Sequence, residues 1–164
     1  MKSAIRENFP GLEIVQVRDG QCCIGRFGVD FLLAVYKDSS AEALDPLWKL
    51  MRESRSKSLV VMLHLKEGIP PPQGDARTAL TDTFKVTKDH MALFHVVGHG
   101  GGFWVAANRA AAATYRLISG GYPIHFSDDL PSSVRLVAET TRVGAGTIEE
   151  ALTFLWDQVG GQDG

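Results

Sequence analysis

The sequence predicts an α/β domain in which antiparallel strands at the N-terminus lead into a mostly parallel sheet flanked by helices, with an extra C-terminal helix. Three observations carry this. Three short β-prone pieces, separated by Asp19-Gly20 and Gly28, open the chain. Two nearly continuous apolar runs, residues 58–65 and 92–97, have strand length and the look of parallel strands buried on both faces. From residue 39 onward, strands alternate with helical periodicity, and right-handed crossovers place such helices against a parallel sheet.

The composition fits one folded domain over 1–164: 45% apolar and 22% charged residues are ordinary for a soluble chain of this length. A formal charge of −2 gives no broad attraction for nucleic acid or anionic lipid. Residues 1–10 carry Lys2, Arg6 and Glu7 and no apolar h-region, so no secretory signal is expected. No apolar run reaches membrane-spanning length either. Cys22 and Cys23 are neighbours that a strand would point to opposite faces, which prevents their pairing. The expectation is a reduced, cytoplasmic protein.

In order, residues 13–17, 21–27 and 30–36 read as antiparallel strands, Asp-Gly being a hairpin signal. Residues 39–55 put Leu44, Leu47, Trp48 and Met51 on one helical face. Pro46 suits a first turn, with Asp45 as N-cap, which implies a start later than residue 39. The strand at 58–65 follows, then a stiff loop through Pro70, Pro71 and Pro72. Asp75 is placed as the cap of a helix reaching about residue 89, with Ala76, Ala79, Leu80, Thr83 and Phe84 inward. Next come the strand at 92–97, a glycine turn and an alanine-rich helix over 103–118. Its inward face is read as Phe103, Ala106, Ala107, Ala110, Ala113, Thr114 and Leu117, with Arg109 and Arg116 on another face. Residues 123–126 form a short strand and Pro131 opens a helix to about residue 140. Residues 143–146 are read as a loop, after which Thr147 and Glu150 match a capping box that starts the extra helix over 147–159.

Across residues 22–140 this order resembles the STAS fold of bacterial anti-sigma-factor antagonists and, more distantly, CRAL-TRIO domains. The resemblance rests on the strand of residues 59–65, on residues 93–97 with Gly98, and on Ile124-His125-Phe126 followed by a short helix. It implies a regulatory module that works by protein contact. The phosphoserine turn of that family does not carry over, because Pro72, Gln73, Gly74, Asp75, Ala76, Arg77 and Thr78 include no serine.

The sharpest local signal is Gly98, His99, Gly100, Gly101 and Gly102 before Phe103. Glycines between a strand and a helix permit positive φ, and the helix start attracts an anion. The run misses the dinucleotide fingerprint, since Phe103 stands where the third glycine belongs, and it lacks the lysine of a phosphate-binding loop. No G-x-S-x-G elbow exists to make it an esterase oxyanion loop. These six residues are the candidate ligand site, with a structural turn as the plainer reading. Adjacent parallel strands would draw His64, His95 and His125 together, but no metal-ligand motif is present and backbone-bonded core histidines are the commoner outcome. No cofactor is implied. The reading is a non-enzymatic binding module with a protein partner. The alternative is a small-molecule, weak-anion or hydrolytic protein built on the glycine turn. An oligomer is compatible with either.

Overall fold

Six strands lie side by side in the order in which the chain makes them. A computed structural model describes residues 9–98 and 102–160. The strands are β1 (Leu12–Arg18), β2 (Cys22–Phe27), β3 (Phe31–Tyr36), β4 (Leu59–Leu65), β5 (Met91–Val97) and β6 (Ile124–Ser127). The helices are α1 (Ala41–Glu53), α2 (Asp75–Thr87), α3 (Phe103–Ile118), α4 (Leu130–Thr141) and α5 (Ala145–Gln158). The strands β1, β2 and β3 pair antiparallel, while β3 to β6 pair parallel. The expected pairing of the two apolar runs holds: β4 and β5 are adjacent, parallel and interior.

Their continuous apolarity has a plain cause, because the sheet is covered on both faces. Along β4, Leu59, Val61, Leu63 and Leu65 join the core under α1, α2 and α3. Val60 and Met62 join a second core under α4 and α5. Cys22 and Cys23 divide in the same way, one into each core, and both are free thiols. Burial pushes the Cys23 thiol up to about 12. Among the described residues, no helix is long and apolar enough to cross a membrane.

Four sequence expectations are corrected. First, α1 starts at Ala41 with Ser40, not Asp45, as its N-cap; the Ser40 hydroxyl accepts from the Ala43 N–H at 3.2 Å. Pro46 therefore lies inside the helix and leaves the Glu42 carbonyl without its i+4 donor. Arg18 Nη1 fills that place at 3.1 Å. Arg18→Ala is expected to cost about 1 kcal/mol in urea unfolding. In a Pro46→Ala background, where the helix supplies its own N–H, the cost should fall by at least half. Equal costs in both backgrounds would disprove the compensation.

Second, Asp75 is the first residue of α2 and Gly74 is the N-cap, with no side-chain cap bond. At φ +55 Gly74 holds a left-handed conformation that suits glycine. The helix ends at Thr87 and a 3₁₀ turn, Lys88–His90, carries the chain into β5. Third, α5 begins at Ala145 with Gly144 as N-cap, so the capping box does not form. Starting there lets Ala145 pack on the second core one turn before the buried Ile148.

The fourth correction is the largest. The buried residues of α3 are Val105, Ala112 and Tyr115, and the face read as inward points outward. Phe103 is 73% and Leu117 82% exposed. Alanine-rich helices offer an apolar face in several directions, and the sheet selected the one carrying Tyr115, whose ring meets Phe84 edge-on at 5.9 Å.

Candidate functional site

Of the six residues assigned to the glycine turn, His99, Gly100 and Gly101 lie outside the described residues. Gly98, Gly102 and Phe103 each have a structural role. The Gly98 N–H donates to the Ser127 carbonyl at 3.0 Å, extending the β5–β6 pairing. A Cβ at Gly98 would sit 2.8 Å from Cζ of Phe126, so glycine admits that ring. Gly102 is the N-cap of α3 at φ 92 and ψ −153, a region open essentially to glycine alone. Phe103 projects outward with its ring edge-on to Trp104 at 4.8 Å.

The cleft beside Gly98, walled by Trp104, Val105, Asn108 and Phe126, has a volume of about 10 Å³. That is room for roughly one water. The sheet also lacks the feature that makes open α/β sheets hold ligands at their strand ends. Such crevices form where strand order reverses, and here the order runs β1 to β6 without reversal.

The three strand histidines share one sheet face but not one site. His95 and His125 are register partners on β5 and β6, with ring centroids 6.5 Å apart. His64, one strand away, accepts at Nδ1 from the Trp156 indole N–H at 2.9 Å. These two contacts, His64 to Trp156 and His95 to Ser133, are side chain to side chain. Among the described residues, no group of three His, Cys, Asp or Glu is placed to hold a metal.

His95 makes a contact that sequence spacing did not reveal: its Nε2 lies 2.8 Å from Ser133 Oγ. A serine beside a histidine invites a nucleophile reading, but the hydrogen-bond inventory argues otherwise. The Ser133 hydroxyl donates to the Asp129 carbonyl at 2.9 Å, so its proton is committed and His95 Nε2 must be the donor. His95 is therefore the Nε2–H tautomer. Its Nδ1 is buried without a partner among the described residues, where a triad would require a carboxylate. Burial, with His125 adding to it, lowers the His95 pKa to about 4. Ser133 itself is 1% exposed. A serine-directed fluorophosphonate is expected to leave the protein unlabelled by mass spectrometry, and stoichiometric label on Ser133 would refute the locked arrangement.

Arg109 and Arg116 are exposed on α3 and also reach the β6 side. Arg109 pairs with Asp128 at 3.4 Å and lies over the Phe126 ring at 5.8 Å. Arg116 puts Nε and Nη2 on the Ile124 carbonyl at 3.2 and 2.6 Å.

What remains open on the surface is the outer side of α3. Phe103 and Trp104 (40% exposed) stand at its start, with Leu117 and Ile118 (59%) at its end. Ala106, Ala110, Ala113 and Thr114 lie exposed between them. The residues of this strip are themselves uncharged, and both arginines of the helix also contact the β6 side. Compared with protein-family models, curated proteins and solved structures, the chain matches none.

Proposed function

We propose that the chain is a non-enzymatic, STAS-like binding module that acts through protein contacts in a cytoplasmic regulatory assembly, with the outer face of α3 as its contact surface. The observation that carries this reading is that uncharged strip, bounded by Phe103 and Leu117. The largest exposed apolar patch on a protein is often a functional contact site. The occupant is a different protein presenting an apolar, uncharged groove. Sixteen residues make a face about 24 Å long. At roughly 10 Å wide, two copies meeting helix to helix would bury only about 500 Å², against the ~1,200 Å² of a stable interface. A groove that wraps both flanks of the helix reaches that size.

A photo-crosslinking residue at Leu117 tests this in the native cell, with Val29, also exposed, as the control position. The expected result is one adduct of fixed mass from position 117, absent from 29 and lost with Phe103→Asp. No adduct at 117, or one of twice the chain's own mass, would overturn the proposed partner.

A further inference from the structure

Beneath the loop of Pro70, Pro71 and Pro72, a crevice of about 50 Å³ runs between the sheet and α3. Its walls include Trp48, Leu63, Phe94, Val96, Ala112 and Ile124, all buried members of the first core. Over the same prolines opens a larger groove of about 430 Å³, whose polar side is Gln73, Arg77, Thr114 and Tyr115. Pro71, Pro72, Ala111 and Tyr115 line both spaces, so they share a wall. The loop is held to α3 by Asn108, whose Nδ2 donates to the Ile69 carbonyl at 2.9 Å.

Three groups here are unspent among the described residues, the first being the Trp48 indole N–H, buried without a partner on a residue that lines the slot. Arg77 is exposed and forms no ion pair among the described residues. Tyr115 lines both spaces, and among the described residues its hydroxyl makes no hydrogen bond and is not one of the buried unpartnered atoms. Among the described residues neither space has an Asp or Glu in its walls; Asp75, the nearest acid in sequence, is not among them. An apolar slot opening on a cation and a phenol donor has the chemistry of a carboxylate with a short apolar tail.

The geometry points to a binding site for short-chain carboxylates, with the tail in the slot beneath the prolines and the carboxylate on Arg77 and the Tyr115 hydroxyl. This site borders the outer face of α3 at Thr114 and uses neither Phe103 nor Leu117. The slot has about a third of the ~150 Å³ that takes benzene in a dry protein cavity. It therefore fits two or three carbons, and longer tails only if the prolines lift.

An NMR titration of the whole chain with acetate, propanoate, butanoate, hexanoate and the matching alcohols tests the site. Shifts should centre on the Trp48 indole N–H, Tyr115 and Arg77. Affinity should rise about fourfold per added methylene until the slot is full, then level off. Each acid should bind about tenfold more tightly than its alcohol. Arg77→Gln, a surface change, should erase that preference and keep the chain-length dependence, and Tyr115→Phe should reduce the preference in part. Leu117→Asp should change nothing here, which separates this site from the contact surface. No shifts at Trp48 and Tyr115 in 20 mM hexanoate, shifts mapping to other residues, or equal affinity for acid and alcohol would each overturn the assignment.

Discussion

Phe84→Ala is expected to destabilise the domain by about 4 kcal/mol, the range for truncating a fully packed phenylalanine. Phe84 is 1% exposed and sits at the hub of the first core. Its ring stacks on Tyr122 at 4.0 Å and meets Phe94 and Tyr115 edge-on at 5.4 and 5.9 Å. One substitution therefore removes three ring contacts that tie α2 to β5, α3 and the segment before β6. Tyr122 also bonds Thr87 at 2.8 Å, so the loss reaches the end of α2. Val86→Ala, on the exposed side of the same helix, should stay within about 0.5 kcal/mol of wild type. A loss below about 1.5 kcal/mol in urea unfolding at Phe84 would show that the cluster is not the anchor described.

The second large effect is a pH dependence. His95 titrates at about 4 in the folded protein against 6.5 unfolded, because its protonated form would bury a charge and an Nδ1–H with no acceptor. Above pH 6.5 both states hold the ring neutral and stability is at its full value. As pH falls from 6.5 to about 4, the unfolded chain binds the proton and the folded chain does not, so stability is lost across that window. The gap corresponds to about 3 kcal/mol. His125 is lowered too, chiefly by burial and then by Arg116, and acts in the same direction. His95→Gln keeps a donor for Ser133 and removes the titration. Its stability should be flatter than wild type between pH 6.5 and 4.5. Parallel profiles for the two proteins would remove His95 as the source.

The sheet was largely legible in the sequence because its signals do not depend on tertiary context. Residues 59–65 are apolar without interruption, and only a strand covered on both faces tolerates that. The hairpins were announced by Asp19-Gly20 and Gly28, both with positive φ in the structure. The α3 face was not legible, and the reason is compositional. Phe103, Ala106, Ala110 and Leu117 make a fair stripe on paper, but Val105, Ala112 and Tyr115 make another on the opposite side. Local periodicity cannot rank two such stripes; only the Phe84 ring and the sheet beneath do. The start of α1 failed for a related reason, since the donor that makes Pro46 tolerable is Arg18, at the end of β1. The slot beneath the prolines and the His95–Ser133 contact join residues distant in sequence, so no motif could announce them.

A sheet whose strands pair in the order of synthesis can be assembled at the ribosome without waiting for distant partners. Each new strand finds its neighbour already in place, and α1, α2 and α3 arrive in turn to cover one side. The other side has no such schedule. Val60, Met62, Leu93 and Val97 face it, and their cover is α4 and α5, which come only after the last strand. During translation, then, one layer of the growing domain is finished as it emerges while the opposite layer stays bare and adhesive. That interval, and not the completed fold, is when this chain is most exposed to aggregation and has most to gain from a chaperone.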